Sequence, residues 1–457
     1  MDHMPAEIIA PSVSQKKWWL ANTHPDKSGY QDALILDFYP EKVDAEVLKK
    51  TVGVLYERHE SLRTIFPLIA GEVRQVILPE ALECFDLQYY DISTLPGHEQ
   101  HHFMVQKKMI SFHELNNGPL SKFLLFKISG QLYNVSVVLH HIISDAWSVK
   151  ILKDEITDVY SKHKLGKYPF FQSPPVQLKE FTEHQNFQCS KNKDRDIAYW
   201  RRVLSGEPSA LGYQGYVDSD LKYSGSHLPQ KATAYVTNFT DDAYTEILSS
   251  PLTLKFGLAP VFYAGFLLSL NHLNKANNII FASPVANRFL SKFNETIGCL
   301  TGGIYLTHTL NHEATISDIA AGFRLNLVNA CRHIIFDHGY LGLDESYLRG
   351  NCDLYANLEL SKLGSASLIG NDSPIGYQDH QSTYYPLECA VSQYLDAFAF
   401  RWSCNLRFFD PGFLETLAFV HRIVMSYIVA HPDRQVKDLL QLLKNDKLSA
   451  AHRTISG

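Results

Sequence analysis

The sequence predicts an α/β protein of mixed-sheet, α+β character built as two lobes, and three observations carry that prediction. The 457 residues exceed one ordinary domain and suit two or three. Stretches of strand and helix periodicity intermix without strict βαβ alternation, which favours mixed sheets over a single doubly wound one. The stretch 206–225 holds Gly206, Gly212, Gly215 and Gly225 with several tyrosines and no clear period, and reads as a linker. The resulting division is an N-terminal lobe over 1–172, a connecting helix and linker over 173–225, and a C-terminal lobe over 226–457.

In chain order, PSVSQKKWWL at 11–20 has a Ser/Pro start and reads as an early helix whose Trp18 and Trp19 either dock into the core or serve a site. A short strand covers 33–38. Asp44 opens a helix through Val47, Leu48, Val52 and Leu55 that ends near Arg58, and strands follow over 62–66 and 73–77. The polar stretch 97–114 carries the adjacent pair His101 and His102 and reads as a solvated helix. Tyr133, Val135, Val137, Val138 and Leu139 form an apolar, largely β-branched run that predicts a strand. Val149, Leu152, Ile156 and Val159, spaced by threes and fours, predict a helix with Ser144 or Asp145 as its N-cap. Ser173, Pro174 and Pro175 mark a break, and 176–204 is helical with Trp200 on its apolar face. The second lobe restarts with an alternating strand over 233–237, a helix from Asp241 and a buried helix from Ala259. A strand over 279–282 and a helix over 317–333 follow. Strands near 354–360, 387–391 and 398–406 precede a last helix over 411–429.

Composition excludes several classes. A net charge of −6 with no basic block argues against nucleic acid as a partner. Seven cysteines without a Cys-x-x-Cys pair suit free thiols in a reducing cytoplasm, which makes the sequons at Asn134, Asn238 and Asn294 chance matches. The N-terminus lacks the basic region and long apolar run of a signal peptide. The longest apolar segment, 257–270, is cut by Pro260 and ends at Asn271 and His272, short of the roughly 20 residues a membrane span needs. A cytoplasmic location with no membrane contact is the expectation.

The chemistry concentrates in 132–160, where the β-branched strand leads through His140, His141 and Asp145 into the amphipathic helix. Successive residues of an extended chain point to opposite sides, so both histidines cannot face one pocket and one of them is structural. Three readings remain open on spacing alone. A metal site would need further ligands, none with recognised spacing is visible, and His59–Glu60 lacks the second His of a helical zinc-protease motif. A purely structural reading makes the histidines satisfied core residues and Asp145 a cap. The third is acyl transfer, in which a neutral imidazole takes a proton from an amine or alcohol as it attacks an activated acyl carbon. Asp145 would then hold the turn in shape by pairing with an Arg from elsewhere. No G-x-S-x-G nucleophile is present, so direct transfer without an acyl-enzyme is the simpler route.

These residues resemble the condensation domains of nonribosomal peptide synthetases, within the chloramphenicol-acetyltransferase-like superfamily. HHIISDAWS at 140–148 is similar to the family's His-His-x-x-x-Asp-Gly signature, and RHESLRTIF at 58–66 to a second motif. PSVSQKKWWL resembles the opening motif, Gly118–Pro119–Leu120 falls where the family has Gly-Pro-Leu, and a Pro174–Pro175 helix ends in Tyr199, Trp200 and Arg201. SPVANR at 283–288 with Ile297 and Gly298 resembles a fifth motif, while Phe409–Asp410 and HPDR at 431–434 resemble the closing region. The likeness implies two chloramphenicol-acetyltransferase-like lobes in a V with a tunnel at their interface. It implies His141 as catalytic residue, acting as base or positioner, and His140 and Asp145 as support. Asp145 would bond an Arg, with Arg288 preferred and Arg63 the other candidate. Ser148 joins the supporting set, and Trp147, Gly302 and Gly303 are tunnel candidates; no metal is implied.

No bound cofactor is implied either. Carrier proteins, met in trans by a freestanding monomeric enzyme, would supply phosphopantetheine arms, and the acceptor would be an amine or alcohol. Two departures from the family pattern stand out. Ala146 replaces its Gly, which costs on the order of 1 kcal/mol if that backbone needs positive φ. Thr301–Gly302–Gly303 replaces Val-Asn-Thr, and the sixth and seventh motifs are indistinct between Arg332 and Leu363. The alternatives are a stand-alone O-acyltransferase using coenzyme A thioesters and a catalytically silent module that recruits other enzymes to a synthetase.

Overall fold

The computed structural model describes residues 7–23, 33–79, 87–108, 114–171, 173–205, 230–275, 277–344, 352–360, 382–383, 385–410 and 412–445. The linker expected at 206–225 and part of the 332–363 stretch lie outside them. The described residues form two compact units, one of 7–193 with 286–302 and one of 194–285 with 303–445.

The first unit begins with β1 (Glu7–Ile9), α1 (Val13–Thr23), β2 (Ala33–Phe38) and α2 (Ala45–Arg58). Asp44 caps α2, its carboxylate accepting from the Glu46 and Val47 N–H groups, as its place before the apolar period predicts. The strand expected over 62–66 is mostly a turn. Glu60–Arg63 wind into a 3-10 turn, and only β3 (Thr64–Ile65) pairs. Arg63 pins this coil by donating to the Tyr56 and Leu78 carbonyls. The strand expected over 73–77 is likewise divided. A hairpin of β4 (Leu68–Ile69) and β5 (Glu72–Val73) turns at Ala70 and Gly71, both at positive φ, before β6 (Gln75–Ile77).

Next come β7 (Leu87–Asp91), α3 (Gly97–Lys108), β8 (Ser121–Lys127), β9 (Tyr133–His140), α4 (Ala146–Lys164) and α5 (Leu178–Val203). His101 and His102 lie exposed on α3, and His102 meets Gln106 one turn on. The main sheet has the order β2-β9-β8-β7, with β9 antiparallel to both neighbours. Alternation along β9 sends Val135, Val137 and Leu139 into a core with Leu48, Val52 and Leu55 of α2 and Val149, Leu152 and Ile156 of α4. Val138 faces the other way, among Leu124, Phe126 and Met104 of α3. With both faces covered, the strand reads as a continuous apolar run, and the turn that follows it is mounted on a rigid support.

The second unit contains β10 (Gln230–Thr240), α6 (Asp241–Ser249), α7 (Pro251–Phe256), α8 (Leu258–Asn274), β11 (Asn278–Val285), β12 (Gly302–Thr309) and α9 (Ile316–Ala330). Strands β13 (Leu354–Glu359), β14 (Ser382–Thr383), β15 (Leu387–Gln393) and β16 (Ala397–Asn405) precede helices Gly412–Ala430 and Val436–Asn445. The sheet order is β12-β11-β13-β15-β16-β10-β14, parallel from β11 through β15 and antiparallel from β15 through β10. α8 is buried from Pro260 to Asn271, as a helix apolar on every side must be. Among the described residues Gly412–Ala430, rather than 257–270, is the helix long and apolar enough to cross a membrane. Its Leu414, Leu417, Val424, Met425 and Ile428 pack into the core of this unit.

Candidate active site

β9 ends at His140, and the backbone then coils into a 3-10 turn, His141–Ile143. Three bonds stop the strand there. His140 Nδ1 accepts from the Ile142 N–H, the Ser144 hydroxyl donates to the His140 carbonyl, and the His140 N–H donates to Leu120. A neutral His140 therefore carries its proton on Nε2. Ile142 and Ile143 lock the turn into an apolar cluster of Phe66, Leu115 and Leu120, with Trp18 and Trp19 against it. His140 is buried and committed to the turn.

His141, one residue on, leaves the strand geometry. The residue is half-buried, and its imidazole stacks on the indole of Trp18, with centroids 4.7 Å apart and planes 3° from parallel. Burial pushes the imidazole down to about 4, against the Asp145 charge and the Ser144 main chain, which both pull upward. The ring is thus neutral across the ordinary pH range, with a lone pair to offer.

Asp145 caps α4, accepting from the Ser148 N–H at 2.8 Å and the Ser148 hydroxyl at 2.7 Å. Arg288 grips it with both terminal nitrogens, at 2.8 and 3.1 Å, and Leu300 N–H and Thr301 Oγ1 add bonds at 3.1 and 3.3 Å. Both side chains of the pair are 3% exposed. Such a pair gains little over an apolar substitute, but losing one partner strands a buried charge at roughly 3–5 kcal/mol. Arg288 also donates to the Ala286 and Thr296 carbonyls. Ser148 faces Gly298, whose N–H donates to its hydroxyl at 3.0 Å.

The segment that supplies these partners, Ala286–Gly302, belongs to the first unit although it follows β11 of the second. Arg288 therefore reaches Asp145 from within one unit, not from the C-terminal lobe to which the division at 226–457 assigns it. Arg63, engaged with the Tyr56 and Leu78 carbonyls, has a different place. Trp147 donates to the Asn294 carbonyl and lies with its ring centre 5.6 Å from the Arg288 guanidinium carbon, so it flanks the ion pair. Ala146 is the first residue of α4, exposed and outside the positive-φ region, so the strain conceived for it is absent. Gly302 and Gly303 open β12, and Gly303 exchanges main-chain bonds with Ile335. Neither has positive φ.

Sequence reasoning missed Trp18 as the neighbour of His141, and Thr296, Leu300 and Thr301 as partners of the ion pair. An adjacent pair of tryptophans gives no direction, and main-chain groups leave no signal in sequence. Burial pushes the Cys299 thiol up to about 12, too high for a nucleophile, although the nearby Trp18 side chain pulls it down. Among the described residues no three His, Cys, Asp or Glu side chains gather as metal ligands would.

The sequence pattern of the family described as Condensation domain matches residues 6–448. The chain belongs to the condensation-domain family. This is a family of acyl-transferring domains of peptide synthetases. A linear gramicidin synthase of Brevibacillus parabrevis is 24% identical over 446 residues, a match that takes in 94% of this chain and 6% of that protein. The condensation domain thus spans a small fraction of the curated relatives it resembles. Among solved structures, the epimerization domain from the third module of tyrocidine synthetase B covers 94% of this chain and 99% of its own, with a TM-score of 0.74 and 16% identity. A starter condensation domain of rhizomide synthetase, solved with C8-CoA and Leu-SNAC, covers 94% and 96%, with a TM-score of 0.73 and 16% identity. At these identities the likeness is one of fold. The two neighbours carry the names of different reactions, so the chemistry must be argued from the site.

Proposed function

We propose that this condensation domain transfers an acyl or aminoacyl group from a carrier-bound thioester to an amine, forming an amide, or to an alcohol, forming an ester. The observation that supports this best is His141, a half-buried residue with a neutral imidazole on a turn whose other polar groups are already bonded. In the amide case the nucleophilic nitrogen attacks the thioester carbon, the C–N bond forms and the C–S bond breaks. The proton lost by nitrogen passes to the departing sulfur, leaving an amide and a free thiol. A base held this low does not store a proton in the resting state. His141 therefore accepts a hydrogen bond that aligns the amine, and takes the proton only as positive charge develops on nitrogen. The phosphopantetheine arms of carrier proteins would present the thioester, and the chain would need no cofactor of its own.

Purified protein is mixed with an acyl-loaded carrier protein and an amine acceptor, and amide is counted against His141→Ala. Turnover should fall by about 10²-fold or more in the variant. Equal product from both proteins would sink the reading. A coenzyme A thioester as donor is the second reading, favoured by the C8-CoA held in the rhizomide synthetase neighbour. Equal rates from free and carrier-bound donors would select it.

A further inference from the structure

Trp18 and His141 meet ring on ring, although they come from elements far apart in the chain. Helix α1 is fixed where it must be for that contact. The Ser12 N–H bonds Gln15, Ser14 bonds Gln185 of α5, and the Trp19 indole N–H donates to the Phe66 carbonyl. The Trp18 indole lies beside the buried Cys299 thiol, whose proton affinity it lowers. His141 is anchored by its turn, and Trp18 is carried on a helix fixed at its start and at Trp19. A near-parallel stack at 4.7 Å sets the indole against one face of the imidazole, covering part of it, and resists rotation of the ring out of plane. Burial of two tryptophans alone would be served by many other ring angles.

We propose that Trp18 is a positioning residue of the condensation site, which fixes the plane of the His141 imidazole and shields one of its faces. This rests on the reading of His141 as the group that handles the acceptor. Among the described residues, Asp145 is the charged group that acts on the ring. Asp145 lies on the same turn with its charge matched by Arg288, the Cys299 thiol comes from the 286–302 segment, and Lys17 of α1 acts on Cys299. An indole face attracts a cation, which favours imidazolium, while loss of water disfavours it. Burial is the largest influence on the ring and holds its proton affinity down, so exposing the ring by removing the indole should move His141 upward.

The test measures kcat and KM against pH for Trp18→Leu, Trp18→Phe and Cys299→Ala, together with an NMR titration of labelled histidine, the His141 signal being assigned from His141→Ala. Trp18→Leu should lower kcat about 10-fold or more with KM within about 2-fold. It should also move the His141 titration and the acid limb of the rate upward by about one pH unit or more. Trp18→Phe should restore both, and on a His141→Ala background Trp18→Leu should add no further loss. Cys299→Ala keeps the indole but opens space beside it, and decides the matter by the same titration if Trp18→Leu does not fold. An unmoved His141 titration in the variants overturns the proposal, whatever their melting temperatures. Full turnover in His141→Ala defeats instead the reading on which it rests, so the two failures are distinguishable.

Discussion

At the residue scale, the fate of each polar atom around the turn separates structure from chemistry. His140 and His141 are adjacent and identical in type, yet one spends its Nδ1 on the Ile142 N–H and the other stacks its ring on Trp18. Ala146 is instructive in the opposite sense. This chain has a methyl on the exposed first residue of α4, outside the positive-φ region. Ala146→Gly should therefore lower stability by no more than about 0.5 kcal/mol, the helix-propensity cost reduced by its end position. It should also leave turnover within about 2-fold. Urea denaturation and steady-state rates check both, and a tenfold gain in rate would show that the methyl obstructs the substrate.

At the element scale, the site depends on how the 286–302 segment lies against α5. Gly298 permits that approach, because a Cβ there would sit 2.3 Å from Leu178 Cδ1 and 3.1 Å from Leu300 Cδ1. Leu178 is enclosed by Phe181, Phe293 and Leu300 and has little freedom to withdraw. Gly298→Ala should cost about 1–3 kcal/mol through overpacking. It should also reduce activity, since Gly298 and Leu300 bond the Ser148–Asp145 group. Combined with Leu178→Ala, the two losses should sum to less than their separate values, because the second substitution removes the atoms that clash. Denaturation of the two single variants and the double variant measures this, and strict additivity would show that the clash is not the cause. A second brace joins α2 to α4, where Glu155 bonds His59 at 2.6 Å and Arg58 at 2.9 Å. Burial alone would raise the Glu155 carboxyl, but those two partners hold it below its ordinary value.

At the scale of the whole molecule, the second unit carries a cost that pH exposes. His421 has no solvent contact and lies among Phe239, Phe266, Phe400 and Trp402, with neither ring nitrogen bonded among the described residues. Burial pushes its imidazole down to about 3. The unfolded chain takes up this proton near pH 6.5 while the folded chain refuses it. The stability His421 contributes is thus complete above pH 6.5 and falls away as pH drops toward its folded value. His421→Leu should raise the melting temperature by a larger margin at pH 5 than at pH 8, where only the unbonded nitrogens, at about 1–3 kcal/mol, are relieved. Scanning calorimetry at the two pH values checks this, and an equal gain at both would show that the proton plays no part.

The sequence by itself determined the local elements of this condensation domain, including the strand, turn and helix that carry the proposed site. The β-branched run, the 3–4 spacing after it and the Asp at the helix start define strand, turn and helix within a few residues of one another, and physics at that range is readable from the chain. The same locality explains the errors, since Arg63 and its neighbours in 62–66 coil into a turn because of carbonyls at Tyr56 and Leu78, which periodicity does not register. Tertiary structure decided which arginine meets Asp145, a pairing across 143 residues of chain. It also decided that 286–302 packs with the first unit, and that Trp18 lies on His141. Those outcomes depend on the path of the backbone and on main-chain donors such as Leu300 N–H, whose positions no residue type announces.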